Sequence, residues 1–449
     1  MSGELLPLEA AVERIVALAA GPLPAEVVAV DAALGRVLAE PVRAAVDLPP
    51  FDNGAMDGYA IRAADIAAAT EGAPVRLAVV GESRAGSAAS ARVEPGSALR
   101  IATGAPLPEG ADAVVQVELT TPLDATGRPG PRGRDAVGPL PAACLVHEPV
   151  APGSSVRRRG EDVRSGSELL PAGDLLDAAR IALVAGAGVG SVAVRRRPVV
   201  AVLATGDEVR PAGTPLSAGQ LPDANGPGLR SLVAEAGALP LDLGIAEDRL
   251  EVVVERLRAG IAAADVVVVS GGVSVGPYDV VKPAFETVGR VDLWRVAIQP
   301  GKPFTCGEAT APDGRRVVLV GLPGNPVSSF VTFGLFVAPL LRALAGRSRD
   351  AVLDGGGPQD AAVLEESVRT SAGRRAFVRV VALRDAAGMV LRDASGRVRV
   401  RPAGGQRGQG SHVLSALAEA EALAIVPEAL AEVPAGTPVG LRWLGRAWD

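Results

Sequence analysis

Residues 265–282 read DVVVVSGGVSVGPYDVVK, and this stretch decides the fold. Its four consecutive valines are too few for a helix and too apolar for a half-exposed strand, which is typical of a parallel strand buried on both faces. The run ends in small residues that let backbone amides approach an anion, namely Ser270, Gly271, Gly272 and Ser274. Asp279 and Lys282 follow, and they share a face if a helix begins there. Alone, the stretch fits either an ordinary strand-to-helix turn or a site for phosphate and a divalent cation.

Two other stretches repeat this design. Residues 198–209 (PVVAVLATGDEV) place Asp207 and Glu208 behind a glycine turn, and residues 316–326 (RVVLVGLPGNP) end in a proline-stiffened loop. Between the strand in 198–209 and the strand in 265–282 lie two helical patterns, at 229–236 and 249–263, and a short strand at 241–245. This alternation predicts a doubly wound, mostly parallel sheet. Ligands bind such sheets at the carboxyl ends of the strands, so we expect a site where the three loops meet.

Length and charge bound the class of protein. A chain of 449 residues is too long for one core and predicts three or four domains. With 48% hydrophobic but only 3% aromatic residues, the cores must be built from Ala, Val and Leu. The net charge of −6 argues against a general nucleic-acid binder. The arginine triplets at 157–159 and 195–197 are local exceptions that we expect to be solvated surface groups.

Cysteine and histidine are too scarce for several kinds of site. Cys144 and Cys306 cannot form a disulfide framework or a zinc site, and we expect His147 and His412 to be incidental loop residues. Acid–base and metal chemistry must then rest on carboxylates, with a hard cation such as Mg²⁺. The amino terminus is acidic where a signal peptide needs positive charge, and no uninterrupted apolar run reaches about 18 residues. We therefore expect a soluble, cytoplasmic protein.

Residues 48–62 (LPPFDNGAMDGYAIR) form the second informative region. Five turn-forming residues are compressed here, which is usual in loops, but the turn also presents Asp52 and Asp57 just before a strand-like segment. Further on, a Thr-Gly-Ala-Pro turn carries the hydroxyl of Thr103. The segment 120–143 is rich in Pro and Gly and predicts a mobile loop. Residues 156–162 (VRRRGED) could form a surface cluster or receive an anion.

Beyond residue 346 the pattern changes to alternating or valine-rich segments joined by polar turns. These segments predict a small all-β domain at the carboxyl end of the chain. They cover residues 376–383, 389–401, 422–426 and 438–444.

Nine stretches together resemble the MoeA family of molybdopterin molybdenumtransferases, which is also similar to the E domain of gephyrin. They run in order between residues 49 and 412, so the resemblance covers nearly the whole chain. Each is a weak signal alone, but nine in one order are specific. They are PPFDNGAMDGYAIR, RIATGAPLPEGADAVVQVE, RRRGED, ATGDEV, LPDANGPGL, SGGVSVGPYDVVK, QPGKPF, GLPGNPVSSF and QGSH.

The resemblance implies an α/β multidomain protomer in an elongated homodimer with a composite active site. Its implied parts are an amino-terminal helix that packs on the sheet domain (1–26), a linking domain in two pieces (27–47 and 147–191), a β-rich insertion (48–146), a MogA-like molybdopterin-binding doubly wound domain (192–347) and a carboxy-terminal, β-barrel-like domain (348–449).

The implied reaction is the last step of molybdenum cofactor biosynthesis. Molybdenum from molybdate is inserted into adenylylated molybdopterin, with Mg²⁺-dependent release of AMP. The implied protein partners are a MogA-type adenylyltransferase and molybdoenzyme-maturation proteins, with no nucleic acid and no membrane.

Motif matching and the strand-end turn supply the site residues. The catalytic candidates are Asp57, Thr103, Glu208, Asp248 and Asp279, with Glu208 and Asp279 as metal ligands. The substrate-binding candidates are Arg157, Asp162, Ser270, Gly271, Gly272, Ser274, Lys282, Lys302, Pro323, Pro326, Arg374 and Ser411. In the local sequence AEDRLE, Asp248 fits a helix N-cap equally well.

The chain departs from the family pattern at three positions. Gly54 stands where serine is common, and Arg295 and Gln299 stand where lysines occur. These changes rearrange hydroxyl and positive groups, so they bear on anion affinity more than on the reaction.

Two other functions fit parts of the sequence. A MogA-type molybdopterin adenylyltransferase would share the sheet domain without needing the insertion or the last domain. A non-catalytic molybdopterin-binding scaffold would use the fold without turnover, and the acids at positions 57, 208 and 279 disfavour it.

Overall fold

The computed structural model describes residues 5–133, 138–271, 280–353, 357–405 and 408–445. Its sheet domain is built on six strands in which Val199–Thr205, Val266–Ser270 and Arg316–Leu322 are parallel neighbours at the centre. Leu239–Ala246 adds a parallel strand at one edge, and Pro303–Thr310 and Gly289–Arg295 extend the other edge as antiparallel pairs. The predicted doubly wound sheet is confirmed.

The four valines at 266–269 are fully buried because each face of the sheet is covered. Val266 and Val268 pack into one core, and Val267 and Val269 pack into the other. The first core includes side chains from helices Leu8–Ala17, Asn225–Glu235, Pro326–Thr332 and Ala338–Leu344. The second includes side chains from helices Leu250–Ala263 and Val281–Val288. Alternation of side chains along one strand therefore supplies both cores.

One long apolar helical segment belongs to the first core. Pro326–Leu344 runs through a π-helical stretch at Phe333–Val337 and has the length and composition of a membrane span, but 89% of it is buried inside the protein. Burial of this kind is ordinary for a core helix.

The β-rich insertion forms a second six-stranded sheet over a core that includes Tyr59, Leu77 and Cys144. Its strands, in spatial order, are Ala113–Gln116, Gly58–Ile61, Ser97–Ile101, Val75–Ser83, Ala143–Val146 and Thr120–Leu123. The interpretation of 120–143 as a loop is wrong at both ends, because Thr120–Leu123 pairs antiparallel with Ala143–Val146. The buried face of this pair outweighs its turn-rich composition.

The linking region joins pieces of chain that the insertion separates. Strand Ala25–Ala29 pairs with Ser191–Arg195, and Val42–Arg43 pairs with Glu168–Leu170. Helix Ala178–Gly186 closes this unit, and the carboxylate of Asp177 accepts a hydrogen bond from the first turn.

The carboxy-terminal region contains a closed five-stranded barrel. Arg375–Ala382 pairs with both Val398–Pro402 and Ala422–Val426, and the remaining pairings complete the circle. Its other strands are Asp360–Leu364 and Pro438–Trp443. Shorter elements elsewhere are the paired strands Val209–Arg210 and Leu221–Pro222, Asn53–Gly54 and Val156–Arg157, Val368–Arg369 and Glu432–Val433, the strand Ile298–Gln299, and the helices Arg349–Leu353 and Leu414–Glu419.

The arginine triplet at 195–197 is not the solvated group that its composition predicted. All three residues are half-buried at the amino edge of the sheet. Arg196 donates two hydrogen bonds to the carboxylate of buried Asp265, at 3.0 and 2.9 Å. A buried carboxylate needs such a partner, which explains why a charged residue is drawn inward here.

Candidate active site

The three predicted loops open at one edge of the sheet. In register, Ser270 lies opposite Ala204 on one neighbouring strand and opposite Leu322 on the other. The segments 205–208, 270–271 and 323–326 therefore start side by side, as expected for the carboxyl ends of parallel strands.

Glycines let these loops approach each other backbone to backbone. Gly271 has φ +121°, and a Cβ atom there would lie 2.7 Å from the carbonyl oxygen of Thr205. A Cβ atom on Gly324 would lie 3.6 Å from the Cα atom of Gly271. Glycine is therefore required at 271, whereas a Cβ atom at 324 would make only an ordinary van der Waals contact.

Asn225 ties two of the loops together. This residue stands at the start of helix Asn225–Glu235, and its side-chain amide donates to Ser270 Oγ at 2.7 Å and to the Gly324 carbonyl at 2.7 Å. The hydroxyl of Ser329 donates to the Pro323 carbonyl. Ser270 is only 1% exposed, so its hydroxyl serves this network. The site candidates omitted Asn225, although the stretch LPDANGPGL contains it.

A group of carboxylates lies beside the loops. Asp207 and Glu208 are exposed directly after Gly206, and the backbone N–H of Asp248 donates to Asp207 Oδ1 at 3.0 Å. Burial raises the pKa of Asp248, and the negative charges of Asp207 and Glu208 raise it further. The helix begins at Leu250 without a side-chain cap, so the N-cap interpretation of Asp248 is wrong.

Three site candidates lie outside the described residues, namely Gly272, Ser274 and Asp279. Within the described ranges, no three His, Cys, Asp or Glu side chains are grouped closely enough to hold a metal ion. Lys282 lies on helix Val281–Val288, where it forms an ion pair with Glu286 at 3.1 Å.

The carboxy-terminal region reaches the same edge of the sheet domain. The carbonyl of Ser411 accepts a hydrogen bond from Val327, at 3.1 Å, in the helical turn that Pro326 opens. Gln299 accepts a hydrogen bond from the backbone of Ser371 at 2.8 Å. The half-buried Arg374 follows in that segment, and half-buried Lys302 follows Gln299.

The insertion holds the other candidates. Asp57 Oδ1 accepts two hydrogen bonds from Thr103, one from its backbone N–H at 2.7 Å and one from its hydroxyl at 2.9 Å. Both residues are exposed, and Asp57 lines a cavity of about 340 Å³ together with Tyr59 and Glu82. All residues that line this cavity belong to the insertion.

The arginine triplet at 157–159 divides into two roles. Asp52 accepts hydrogen bonds from the Arg158 side chain at 2.7 Å and from the Arg159 backbone at 2.8 Å. Arg157 lies on the strand that pairs with Asn53–Gly54, and its side chain is exposed, as is that of Asp162. Two of the arginines therefore hold the turn, and Arg157 faces solvent.

Family models match almost the whole chain. The MoeA N-terminal region (domain I and II) matches residues 6–188, the probable molybdopterin binding domain matches 201–343, and the MoeA C-terminal region (domain IV) matches 361–441.

Relatives match over the full length. A molybdopterin molybdenumtransferase from Haemophilus influenzae is 33% identical over 97% of this chain and 98% of its own. Molybdopterin molybdenumtransferase 2 from Mycobacterium tuberculosis is 36% identical, with 93% of each chain covered. The structure of a molybdopterin biosynthesis MoeA protein from Pyrococcus horikoshii superposes with a TM-score of 0.73 at 32% identity, and 98% of both chains is covered.

Fold and site define a multidomain transferase of molybdenum cofactor biosynthesis, as predicted. The chain belongs to the MoeA family of molybdopterin molybdenumtransferases. The insertion and the barrel, which an adenylyltransferase would not need, are both matched by the family.

Proposed function

We propose that this chain inserts molybdenum from molybdate into adenylylated molybdopterin and releases AMP. The observation that carries the proposal is that carboxylates and glycines follow four neighbouring strands at one sheet edge. Asp207, Glu208 and Asp248 follow two of these strands, and Gly271 and Gly324 follow the other two. Backbone amides in such turns bind phosphate oxygens. Carboxylates at strand ends bind the cation that accompanies them.

The described carboxylates do not form a complete metal site, but Mg²⁺ needs only one or two protein carboxylates when phosphate oxygens and water supply its other ligands. Asp248 is partly buried next to two other carboxylates, and these raise its pKa. A divalent cation at this point would relieve that repulsion, and when bound it stabilises the negative charge that develops on phosphate oxygens. Glu208 is the ligand that we propose among the described residues, and Asp279 is the second.

The chain's own residues then position the two anionic substrates. Loop segments at Gly271 and Gly324 would receive the phosphates of adenylylated molybdopterin. The positive side chains of Lys302 and Arg374, with Ser411, would bind near the segment that Pro323 and Pro326 shape. Molybdate is an anion and needs donors of this kind. The AMP group leaves when the phosphoanhydride bond to molybdopterin is cleaved.

Asp57 and Thr103 would complete the site from a second subunit. Their hydrogen bonds and the adjoining cavity involve insertion residues alone. In a two-fold homodimer, the insertion of one protomer can face the sheet edge of its partner and form two equivalent sites. We further propose a cytoplasmic location and a MogA-type adenylyltransferase as the supplier of the substrate.

The direct test is release of AMP by the purified protein. We expect release when adenylylated molybdopterin, Mg²⁺ and molybdate are all present, and a loss of at least about 10²-fold in Glu208→Gln, since a charge-stabilising group is removed. Glu255→Gln, an exposed acid on helix Leu250–Ala263, is the control.

The alternatives give different products. An adenylyltransferase would consume ATP and molybdopterin and release pyrophosphate, and a scaffold would bind substrate without releasing AMP. Either result would overturn the proposal.

A further inference from the structure

A group of arginines surrounds two cavities at the amino edge of the central sheet, opposite the candidate active site. The smaller cavity, about 140 Å³, is lined by several arginines, including Arg36, Arg195 and Arg197, and, in the described part of the chain, by a single acid, the exposed Glu235. A neighbouring cavity of about 610 Å³ shares the wall formed by Arg195. We call Arg36, Arg195 and Arg197 the arginine basin.

Two arginines at this edge, one of them in the basin, are already paired with acids. Arg36 pairs with Glu26, and Arg196 pairs with Asp265. Arg195 and Arg197 differ, because the hydrogen-bond acceptors described for their side chains are backbone carbonyls, those of Leu23 at 3.3 Å and Leu34 at 3.4 Å. Each guanidinium has five N–H donors, so most of this capacity is left for other acceptors.

Buried donors at the basin are also unsatisfied. The Nε atoms of Arg36 and Arg197 are buried and have no hydrogen-bond partner in the described structure. Arg36 as a whole is only 8% exposed. An unpaired buried donor costs stability, and such groups are retained where something else completes them.

The C-termini of two helices explain why some of the arginines are located at this edge. Helices Asn225–Glu235 and Ala338–Leu344 end at this edge. Positively charged side chains are stabilised near the unpaired carbonyl groups of a helix C-terminus. However, Arg195 and Arg197 donate to carbonyls outside both helices. Their placement therefore requires a different explanation.

We propose that the arginine basin binds a small tetrahedral oxyanion, such as inorganic phosphate, sulfate or the phosphoryl group of a nucleotide. Guanidinium groups are suited to such anions because their planar N–H donors match pairs of oxygens. The smaller cavity exceeds the volume of several water molecules at about 30 Å³ each, so an oxyanion fits. This site is separate from the carboxyl edge where the substrates are proposed to bind.

The first test uses the wild-type protein. Thermal unfolding is followed while sodium phosphate, sodium sulfate or AMP is added, with sodium chloride at equal ionic strength as the reference. We expect a saturable rise in the melting temperature with phosphate beyond that with chloride, because a ligand that binds only the folded state stabilises it. The sulfate arm tests whether any tetrahedral oxyanion suffices. Because AMP is also the proposed product of the active site, the AMP arm is repeated with Arg197→Gln, in which stabilisation by a nucleotide bound at the basin should be lost. Equal effects of phosphate and chloride would overturn the proposal.

The second test separates the basin from the active site by calorimetric titration with phosphate. The titration should resolve phosphate binding at the basin from phosphate binding at the active site. Arg197→Gln and Arg195→Gln should each weaken phosphate binding at the basin by about tenfold or more, since each removes charge-assisted hydrogen bonds. Lys302→Gln should leave phosphate binding at the basin intact.

Arg256→Gln, on an exposed helix face, controls for the change in net charge. AMP release by Arg197→Gln should stay at the wild-type rate. Unchanged phosphate binding by both basin variants would refute the assignment.

Discussion

The two halves of the candidate site are built in opposite ways. The sheet half rests on strands buried on both faces, and Asn225 cross-links its loops. The insertion half is one exposed carboxylate, Asp57, held by a single neighbouring threonine. The sheet half has three neighbouring carboxylates and glycine-containing loops, whereas the insertion half has one carboxylate beside a cavity. We propose that the exposed insertion half completes the buried, cross-linked sheet half.

The largest expected effect is on the rigid half. Val268→Asp places a charge among fully buried side chains, which costs several kcal/mol. We expect little soluble protein or a strongly lowered melting temperature. Val27→Asp is the control, since Val27 is 73% exposed. A normal melting temperature for Val268→Asp would mean that this strand does not support the site.

The insertion half should show the reverse behaviour, namely lost activity with an intact fold. In Asp57→Asn, the remaining carbonyl oxygen can still accept from Thr103, but the charge is gone. We expect AMP release to fall by about 10²-fold at an unchanged melting temperature. Glu148→Gln, an exposed acid in the linking region just beyond the insertion, should behave as wild type. Near-normal turnover by Asp57→Asn would remove the insertion from the chemistry.

A smaller effect is expected for the cross-link in the sheet half. Asn225→Ala removes both donors that join Ser270 to Gly324, so the loops lose their preset spacing. We expect kcat to fall by about tenfold with little change in KM. Asn225→Asp should not rescue it, because a carboxylate cannot donate to the Gly324 carbonyl. Ser329→Ala, which frees one carbonyl only, should lose less. Equal kcat in all variants would contradict the positioning role.

The smallest effect concerns Asp248. Its pKa is raised in the folded protein above the ordinary value of 3.8, so the folded state holds this proton to a higher pH than the unfolded state. Ionisation therefore costs stability as pH rises above 3.8 through the raised value. Without divalent cations, Asp248→Asn should melt slightly higher than wild type at pH 7, and the difference should vanish in acid.

Asp242→Asn is the matched control for that experiment. It loses an ion pair with Arg230 at 2.8 Å and should not gain stability. A lower melting temperature for Asp248→Asn at pH 7 would contradict the crowding of carboxylates at the sheet edge.

The sequence predicts the sheet half well for a physical reason. Four buried valines followed by glycines leave few conformations open, and neighbouring parallel strands must end at one edge. The loops at Ser270 and Pro323 could therefore be placed together before the structure was known. The role of Asn225 could not, because a side chain's hydrogen-bond partners depend on contacts distant in sequence.

Charge patterns were less informative than apolar ones. The triplet at 195–197 has the composition of a solvated face, yet Arg196 binds buried Asp265. Similarly, the turn-rich segment at 120–143 begins and ends in two strands that pair with each other, Thr120–Leu123 and Ala143–Val146. Composition alone does not say which residues a distant strand will cover.

The claim that the two halves meet across a dimer is tested most directly by mixing variants. Asp57→Asn and Glu208→Gln are each prepared as nearly inactive homodimers, mixed in equal amounts and allowed to exchange subunits, which differently tagged chains verify. At random exchange half the dimers are mixed, and a shared site leaves one of the two sites in each of them intact, so AMP release should return to about a quarter of the wild-type rate. If subunits exchange and no activity returns, every site still carries one lesion and the site lies within a single chain.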